Sequence, residues 1–164
     1  MDRSLMGELL SSSWIDRHLN LVISGSTGTG KTWLACAIGV QAIRNGFPVS
    51  YHRVGTLLED MQLAHIDGSI VKMRNSLSKP PLLILDDFGA STLNDRNKQD
   101  LFDIVEARGE RASTIIAGQL HWEEWHSYLG APHLADAIVD RVVHRAHKLD
   151  LRGESLRQVL GRDA

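Results

Sequence analysis

An apolar run that leads into a glycine-rich loop, and from there into a long helical segment, constrains the fold of this chain most. Residues 21–24, Leu-Val-Ile-Ser, have the apolar character of a buried parallel strand. Residues 25–32 match the pattern G-x-x-x-x-G-K-S/T, and residues from about 31 to 44 predict a helix that ends before Gly46. A strand, this loop and a helix in succession are typical of a phosphate-binding loop in an α/β protein.

The eight residues of this loop supply the atoms that phosphate binding requires. Glycine lets backbone N–H groups turn towards a phosphate without a Cβ clash, and the start of the helix adds partial positive charge. Lys31 can reach the β- and γ-phosphates, and the Thr32 hydroxyl can bind Mg²⁺, which prefers oxygen ligands. The sequence therefore predicts ATP and Mg²⁺ as cofactors. The predicted nucleotide-binding residues are Gly25, Ser26, Thr27, Gly28, Thr29, Gly30, Lys31 and Thr32.

Two adjacent carboxylates follow another apolar run, Leu-Leu-Ile-Leu at 82–85. Ligands bind at the carboxyl edge of open α/β sheets, so these carboxylates are expected beside the phosphate-binding loop. Asp86 is predicted to hold Mg²⁺ through its water shell, and Asp87 to orient and polarise the attacking water. The pair predicts an ATPase that converts ATP to ADP and phosphate.

The remainder of the chain alternates between strand and helix patterns. Strands are predicted at 21–24, 49–52, 82–85, 114–117 and 146–151, and helices at 31–44, 54–65, 69–77, 94–108, 121–129, 133–141 and 155–160. Such alternation favours an α/β fold with a five-stranded parallel sheet flanked by helices. No linker composition divides the chain, so residues 1–164 are expected to form a single domain.

Composition argues against a strongly basic protein, a membrane-spanning protein and a disulfide-bonded protein. The formal net charge is −2, so any contact with DNA has to come from a local basic cluster. The longest apolar stretch, 33–43, is too short to span a bilayer, and no membrane partner is expected. Cys36 is the one cysteine, which rules out an intrachain disulfide and favours a cytoplasmic setting. Cys36 and the tryptophans Trp33, Trp122 and Trp125 are expected to pack in the core.

Three polar residues are weaker candidates for the site. Gln119 follows the fourth predicted strand, where an amide could touch the γ-phosphate or the attacking water. Arg141 could stabilise the transferring phosphoryl group of a neighbouring subunit, and Arg157 could reach the nucleotide of its own subunit. Alternative interpretations remain open, in which Gln119 is an exposed loop amide and Arg141 and Arg157 are surface arginines without a role in the site.

Several segments together resemble a known family. They are Gly-Ser-Thr-Gly-Thr-Gly-Lys-Thr at 25–32, Leu-Leu-Ile-Leu-Asp-Asp-Phe-Gly at 82–89, Ser-Thr-Ile-Ile-Ala-Gly-Gln-Leu at 113–120, Glu-Glu-Trp-His at 123–126, Leu-Ala-Asp-Ala-Ile-Val-Asp-Arg-Val-Val-His at 134–144 and Gly-Glu-Ser-Leu-Arg at 153–157. Nearly the whole chain resembles the IstB-like transposition helper ATPases, which are related to the DnaC-like helicase loaders within the AAA+ superfamily.

The resemblance implies an AAA+ core with the sheet order 5-1-4-3-2, an ATP site at the interfaces of a homo-oligomer, assembly on DNA and a transposase partner. It also implies that Gln119 is the first sensor, Arg141 the arginine finger and Arg157 the second sensor. Two features depart from the family pattern. Only 24 residues precede Gly25, so the N-terminal adaptor segment is expected to be largely absent, and Gly118 stands where a serine is common.

Two other functions remain open from the sequence. A loader of a replicative helicase would use the same ATPase chemistry with another partner. A small-molecule kinase would need an arginine-rich lid, and the segment 94–111 offers Arg96, Arg108 and Arg111. For DNA, the predicted contact is the basic cluster Lys72, Arg74 and Lys79, because no acidic residue lies between 69 and 85. Contacts to phosphates predict binding with weak sequence preference.

Overall fold

The computed structural model describes residues 3–151, in which five strands alternate with eight α-helices. The strands are β1 (Asn20–Gly25), β2 (Val49–Arg53), β3 (Leu82–Phe88), β4 (Ser113–Gly118) and β5 (Ala146–Leu151). The helices are α1 (Arg3–Ser11), α2 (Ser13–Asp16), α3 (Lys31–Arg44), α4 (Val54–Asp67), α5 (Ile70–Ser78), α6 (Asp95–Arg108), α7 (Trp125–Leu129) and α8 (Pro132–Val142). A short 3₁₀ helix, Trp122–Glu124, precedes α7.

The five strands form one parallel sheet in the order β2-β3-β4-β1-β5. The predicted α/β fold and the predicted order 5-1-4-3-2 are therefore confirmed. The inner strand β1 is bonded to β4 on one side and to the edge strand β5 on the other. Because all strands run the same way, the loops that follow β1, β3 and β4 meet at one edge of the sheet.

Alternating strand residues divide the core between the two faces of the sheet. Leu82 and Ile84 of β3 pack towards α1, α2 and α3, while Leu83 and Leu85 pack towards α4 to α8. This is the period of two that a strand imposes on its side chains. Since both faces are covered, the three central strands are buried along nearly their whole length, which explains their continuous apolar runs.

Several predicted boundaries and elements differ from the structure. Helices α1 and α2 were not predicted, and β3 extends through Phe88 rather than ending at Leu85. The predicted helix at 121–129 is divided into the 3₁₀ helix and α7. The predicted helix at 155–160, and with it Arg157, lies outside the described residues. No helix within residues 3–151 combines the length and the apolar character needed to cross a membrane.

The prediction that Trp33 and Cys36 pack in the core is wrong. Trp33 is 73% exposed, and Cys36 is exposed one turn further along α3. Helix α3 buries Leu34, Ala35 and Ile38 against the sheet, so residues on its opposite face point away from the core. By contrast, Trp125 is buried as predicted.

Candidate functional site

A cavity of about 560 Å³ opens at the carboxyl edge of the sheet. It collects predicted site residues from three separate segments of the chain, namely the glycine-rich loop, the end of β3 and the residue that follows β4. Its lining residues are Thr27, Gly28, Lys31, Thr32, Tyr51, Arg53, Asp86, Asp87, Ala90 and Gln119. Tyr51 and Arg53 come from β2 and were not among the predicted site residues.

The glycine-rich loop connects β1 to the start of α3. Gly28 and Gly30 have φ angles of 83° and 94°, a region that residues with a Cβ rarely adopt. The carbonyl oxygen of Ser26 accepts hydrogen bonds from the Thr29 hydroxyl and the Lys31 ammonium group, each at 2.8 Å. Burial lowers the pKa of Lys31, while the carboxylates of Asp86 and Asp87 act in the opposite direction. The loop thus places a lysine ammonium group over a turn of backbone, as phosphate binding requires.

A β-bulge aims the two carboxylates of β3 in different directions. Leu85 pairs with Ile116 and Phe88 with Gly118, so β3 has one more residue than β4 in this interval. Asp87 lies inside the bulge and has a φ of 61°, in the left-handed region. The bulge therefore turns Asp87 away from the regular alternation of the strand and into the cavity.

Asp86 is 3% exposed, and each of its carboxylate oxygens accepts one hydrogen bond. Oδ1 accepts the backbone N–H of Asp87 at 2.9 Å, and Oδ2 accepts the hydroxyl of Tyr51 at 2.6 Å. The Tyr51 pKa is raised by burial and by this hydrogen bond. A buried carboxylate and the Thr32 hydroxyl in one cavity are hard oxygen donors, which fit Mg²⁺ bound together with substrate phosphates. Thr32 and Asp86 are thus the residues that could hold the ion.

Arg53 forms an ion pair with Asp87, the carboxylate that was predicted to act on water. The distance between Nη2 of Arg53 and Oδ2 of Asp87 is 2.9 Å. The hydrogen bond to Asp87 raises the pKa of Arg53 further, so this side chain stays charged. Both residues also line a second cavity of about 350 Å³, between α4 and residues 89–93. The ion pair therefore lies between the two cavities.

Gln119 lies against the glycine-rich loop. Its Nε2 donates to the Thr27 hydroxyl oxygen at 2.6 Å, which places the amide in the cavity where a first sensor is expected. The preceding residue, Gly118, packs directly on β3. A Cβ at Gly118 would lie 2.0 Å from the carbonyl oxygen of Phe88, so a larger residue would force the two strands apart.

Arg141 does not line this cavity within its own subunit. On α8, its Nε lies 2.6 Å from Oε2 of Glu106, and its guanidinium carbon lies 5.9 Å from the centre of the Phe102 ring. To act on a neighbouring subunit, Arg141 would have to leave its ion pair with Glu106 and contact the phosphate of that subunit's nucleotide. The role of Arg141 stays a prediction.

The predicted DNA-binding cluster is less uniformly basic than its sequence indicates. Arg74 lies 3.2 Å from Asp103 and 3.7 Å from the fully buried Asp100, both on α6. His65 of α4 also contacts Asp100, at 2.9 Å. Helix α6 brings these acids to α5, which the local sequence cannot reveal. Lys72 is exposed, whereas part of the Arg74 charge is already neutralised.

The parallel sheet, its strand order and the glycine-rich loop beside two carboxylates define a P-loop ATP-binding protein with an AAA+ core. Its sequence matches the family described as IstB-like ATP binding protein over residues 1–164. The chain belongs to that family.

Relatives carry names that refer to insertion sequences. The chain is 48% identical over 158 residues to the insertion sequence ATP-binding protein y4pL of Sinorhizobium fredii, covering 96% of this chain and 64% of that protein. It is 31% identical over 157 residues to the ATP-binding protein of insertion sequence IS21 of Pseudomonas aeruginosa, covering 96% of this chain and 59% of the relative. The chain therefore spans about three fifths of the length of these relatives.

Solved structures share the fold at low sequence identity. The DnaC helicase loader is similar with a TM-score of 0.75 and 22% identity, over 92% of this chain and 89% of that chain. The replication initiator DnaA bound to AMPPCP and single-stranded DNA is similar with a TM-score of 0.74 and 21% identity, over 97% of this chain and 50% of that chain. These likenesses establish the AAA+ fold.

Proposed function

We propose that this chain hydrolyses ATP with Mg²⁺, assembles on DNA as a homo-oligomer in the cytoplasm, and assists a transposase during insertion-sequence transposition. The observation that carries the ATPase proposal is the convergence of Lys31, Thr32, Asp86 and Asp87 in one cavity. These residues come from two segments about fifty positions apart, and only the parallel sheet brings them together.

The roles follow from the positions of the side chains. Lys31 balances the negative charge of the β- and γ-phosphates, for which it has to leave its hydrogen bond to Ser26. Mg²⁺, when bound by Thr32 and Asp86, supplies charge that offsets the developing negative charge of the phosphates. Asp87 orients the attacking water and accepts its proton, and the Gln119 amide is within reach of the same space.

The transposase and DNA parts of the proposal are supported by the relatives. Two proteins with which this chain shares 48% and 31% identity are named as ATP-binding proteins of insertion sequences. DNA contact is assigned to the exposed basic residues Lys72 and Lys79, with a smaller part for the acid-paired Arg74. Phosphate contacts of this kind are sensitive to salt and largely independent of base sequence.

The structure provides a reason to prefer an ATPase to a small-molecule kinase. Arg108, one of three arginines that a phosphate lid could have used, is 1% exposed. Its guanidinium donates to the carbonyl oxygens of Leu77 and Ser113 and to the Thr114 hydroxyl. Burial lowers the Arg108 pKa to about 10. An arginine held in this way connects α5, α6 and β4 and is not available to close over a nucleotide.

The test is phosphate release from ATP with and without duplex DNA, over a range of protein concentrations. An ATPase that assembles on DNA should respond to both variables, because each completed site needs a neighbouring subunit. Turnover that depends on a small acceptor, and on neither DNA nor protein concentration, would reject the proposal. If DNA and protein concentration do stimulate turnover, pull-down with the transposase and, separately, the replicative helicase encoded in the same genome decides between the two partners.

The proposed role of Arg141 in a neighbouring site has its own test. Arg141→Ala protein should bind ATP but lose concentration-dependent turnover. Mixing it with Lys31→Ala protein should restore activity, since a mixed interface joins one intact nucleotide site to one intact arginine. Absence of rescue, with both variants shown to co-assemble, would remove Arg141 from this role.

A further inference from the structure

The edge strand β2 sends two side chains to the two carboxylates of the neighbouring strand. Tyr51 and Arg53 are two residues apart, so they lie on the same face of β2. Parallel pairing sets Tyr51 beside Ile84 and Arg53 beside Asp86, which brings both side chains to the end of β3. There the Tyr51 hydroxyl meets Asp86, and the Arg53 guanidinium meets Asp87.

The contact between Tyr51 and Asp86 is short and directional. The hydroxyl oxygen of Tyr51 lies 2.6 Å from Oδ2 of Asp86, within the range of a charge-assisted O–H···O bond. The acceptor is a buried carboxylate, and a hydrogen bond is electrostatically stronger in the protein interior than in water. Tyr51 is itself 41% exposed and lines the nucleotide cavity, so the hydroxyl reaches Asp86 from the side on which phosphates would bind.

The other oxygen of Asp86 is already held by the backbone. The N–H of Asp87 donates to Oδ1 at 2.9 Å. With one donor on each oxygen, rotation about the Cβ–Cγ bond is restricted, and this torsion is otherwise broad for aspartate. Each oxygen still has a lone pair that can accept a hydrogen bond from a water of a bound ion. The two donors therefore fix the plane of the carboxylate without filling its acceptor sites.

We propose that Tyr51 is a positioning residue for the divalent-cation site: its hydroxyl holds the Asp86 carboxylate in the orientation that couples Mg²⁺ to the bound nucleotide. The inference rests on the proposed assignment of Asp86 to Mg²⁺. It adds a residue that belongs to neither the glycine-rich loop nor the end of β3. Tyr51 acts through Asp86 and touches no reacting atom.

The experiment measures the affinity for a fluorescent ATP analogue in excess EDTA and in excess Mg²⁺. Tyr51→Phe removes only the hydroxyl. We expect it to leave the affinity in EDTA unchanged and to reduce the gain from Mg²⁺ about fivefold. The matched control is Tyr128→Phe, since Tyr128 is the other of the two tyrosines and donates its hydroxyl to the Ser91 carbonyl. That variant should retain the gain of the wild type.

A double-mutant cycle distinguishes positioning from a general structural effect. In the Asp86→Asn background, Tyr51→Phe should cause no further loss of the Mg²⁺ gain, because the carboxylate that it positions is already gone. A low-temperature EPR spectrum of bound Mn²⁺ gives a second signal, which should broaden in Tyr51→Phe and not in Tyr128→Phe. Far-UV circular dichroism confirms that each variant is folded.

The outcomes separate this inference from the proposed function. An equal Mg²⁺ gain in Tyr51→Phe and wild type, additive losses in the cycle, or no Mg²⁺ gain in the wild type would each overturn the role of Tyr51. A wild type that binds Mg-ATP with the expected dependence on Tyr51, but releases no phosphate with or without DNA, would overturn the proposed ATPase and leave the positioning role supported.

Discussion

Nη2 of Arg53 lies 2.9 Å from Oδ2 of Asp87, so the carboxylate assigned to the attacking water is occupied by a cation. The guanidinium group donates to Oδ2 and so takes up part of the acceptor capacity to which an attacking water would donate. The ion pair lies between the nucleotide cavity and the second cavity, where a change in either could separate the two side chains.

Removal of the Arg53 guanidinium should therefore release Asp87. We expect Arg53→Ala to raise the unstimulated rate of phosphate release about threefold. The effect is small because an exposed ion pair contributes little free energy. Steady-state phosphate release at saturating Mg-ATP measures the change. Arg44→Ala, at the end of α3, is the matched control and should leave the rate unaltered. A fall in rate with unchanged ATP affinity would show that Arg53 assists turnover and does not restrain it.

Lys31 is the residue that we propose to provide the charge facing the phosphates. Lys31→Ala should weaken Mg-ATP binding by about 100-fold or more, since a charge-assisted contact is lost inside the cavity. Isothermal titration calorimetry measures this affinity directly. Lys148→Ala, which removes an exposed lysine on β5, should bind as the wild type does. Unchanged affinity in a folded Lys31→Ala protein would contradict the assignment of the loop.

A substitution of Asp87 should lower the rate of ATP hydrolysis without preventing ATP binding. Asp87→Asn keeps the shape of the side chain but not the negative charge, so ATP should still bind while hydrolysis falls by about two orders of magnitude. Single-turnover measurements with labelled ATP, together with the affinity, check both halves of the expectation. If Asp87→Asn turned over ATP at the wild-type rate, another group would have to position the water.

Cys36 can report on the charge of Asp86. Partial desolvation raises the pKa of the exposed Cys36 thiol, and the nearby Asp86 carboxylate raises this pKa further. At pH 8 less thiolate is present than for a free cysteine, so alkylation should be slow. Asp86→Asn lowers the thiol pKa and should speed alkylation about twofold, whereas Asp87→Asn should not. Mass spectrometry of iodoacetamide labelling follows a single product, because the chain has one cysteine.

Substitutions of Arg74 and Lys72 should have different effects on stability and on DNA binding, although both residues were assigned to DNA contact. Arg74→Ala removes the arginine from the buried Asp100 and leaves its hydrogen bond with His65, so it should lower the free energy of unfolding by about 1–2 kcal/mol. Lys72→Ala should leave stability unchanged and weaken DNA binding more than Arg74→Ala does. Urea denaturation and fluorescence anisotropy of a labelled duplex measure the two effects. Equal effects of both variants would show that the ion pairs of Arg74 have no energetic role.

The parts of the site that were predictable are those that local sequence encodes. Lys31 and Thr32 belong to a pattern in which spacing alone sets the chemistry, and Asp86 and Asp87 follow a buried strand directly. The strand order was also predictable, through the resemblance to a known family. These elements did not require knowledge of long-range contacts.

The contacts that β2 makes were not predictable from local patterns. Tyr51 and Arg53 reach the carboxylates only because β2 pairs with β3 in one particular register, and a shift of one residue would turn both side chains to the other face. Likewise, the exposure of Trp33 depends on which face of α3 meets the sheet, and a helix with apolar residues on several faces does not reveal this.

The close approach of Gly118 to Phe88 limits how this protein can be engineered. Consensus design replaces an unusual residue with the one most frequent in the family, which often stabilises a protein. The resemblance implies a serine at the position of Gly118, and a residue introduced there by that procedure would bring a Cβ to 2.0 Å from the Phe88 carbonyl oxygen. Gly118 faces the bulge on the neighbouring strand, so a larger residue at 118 would require a change in that bulge as well.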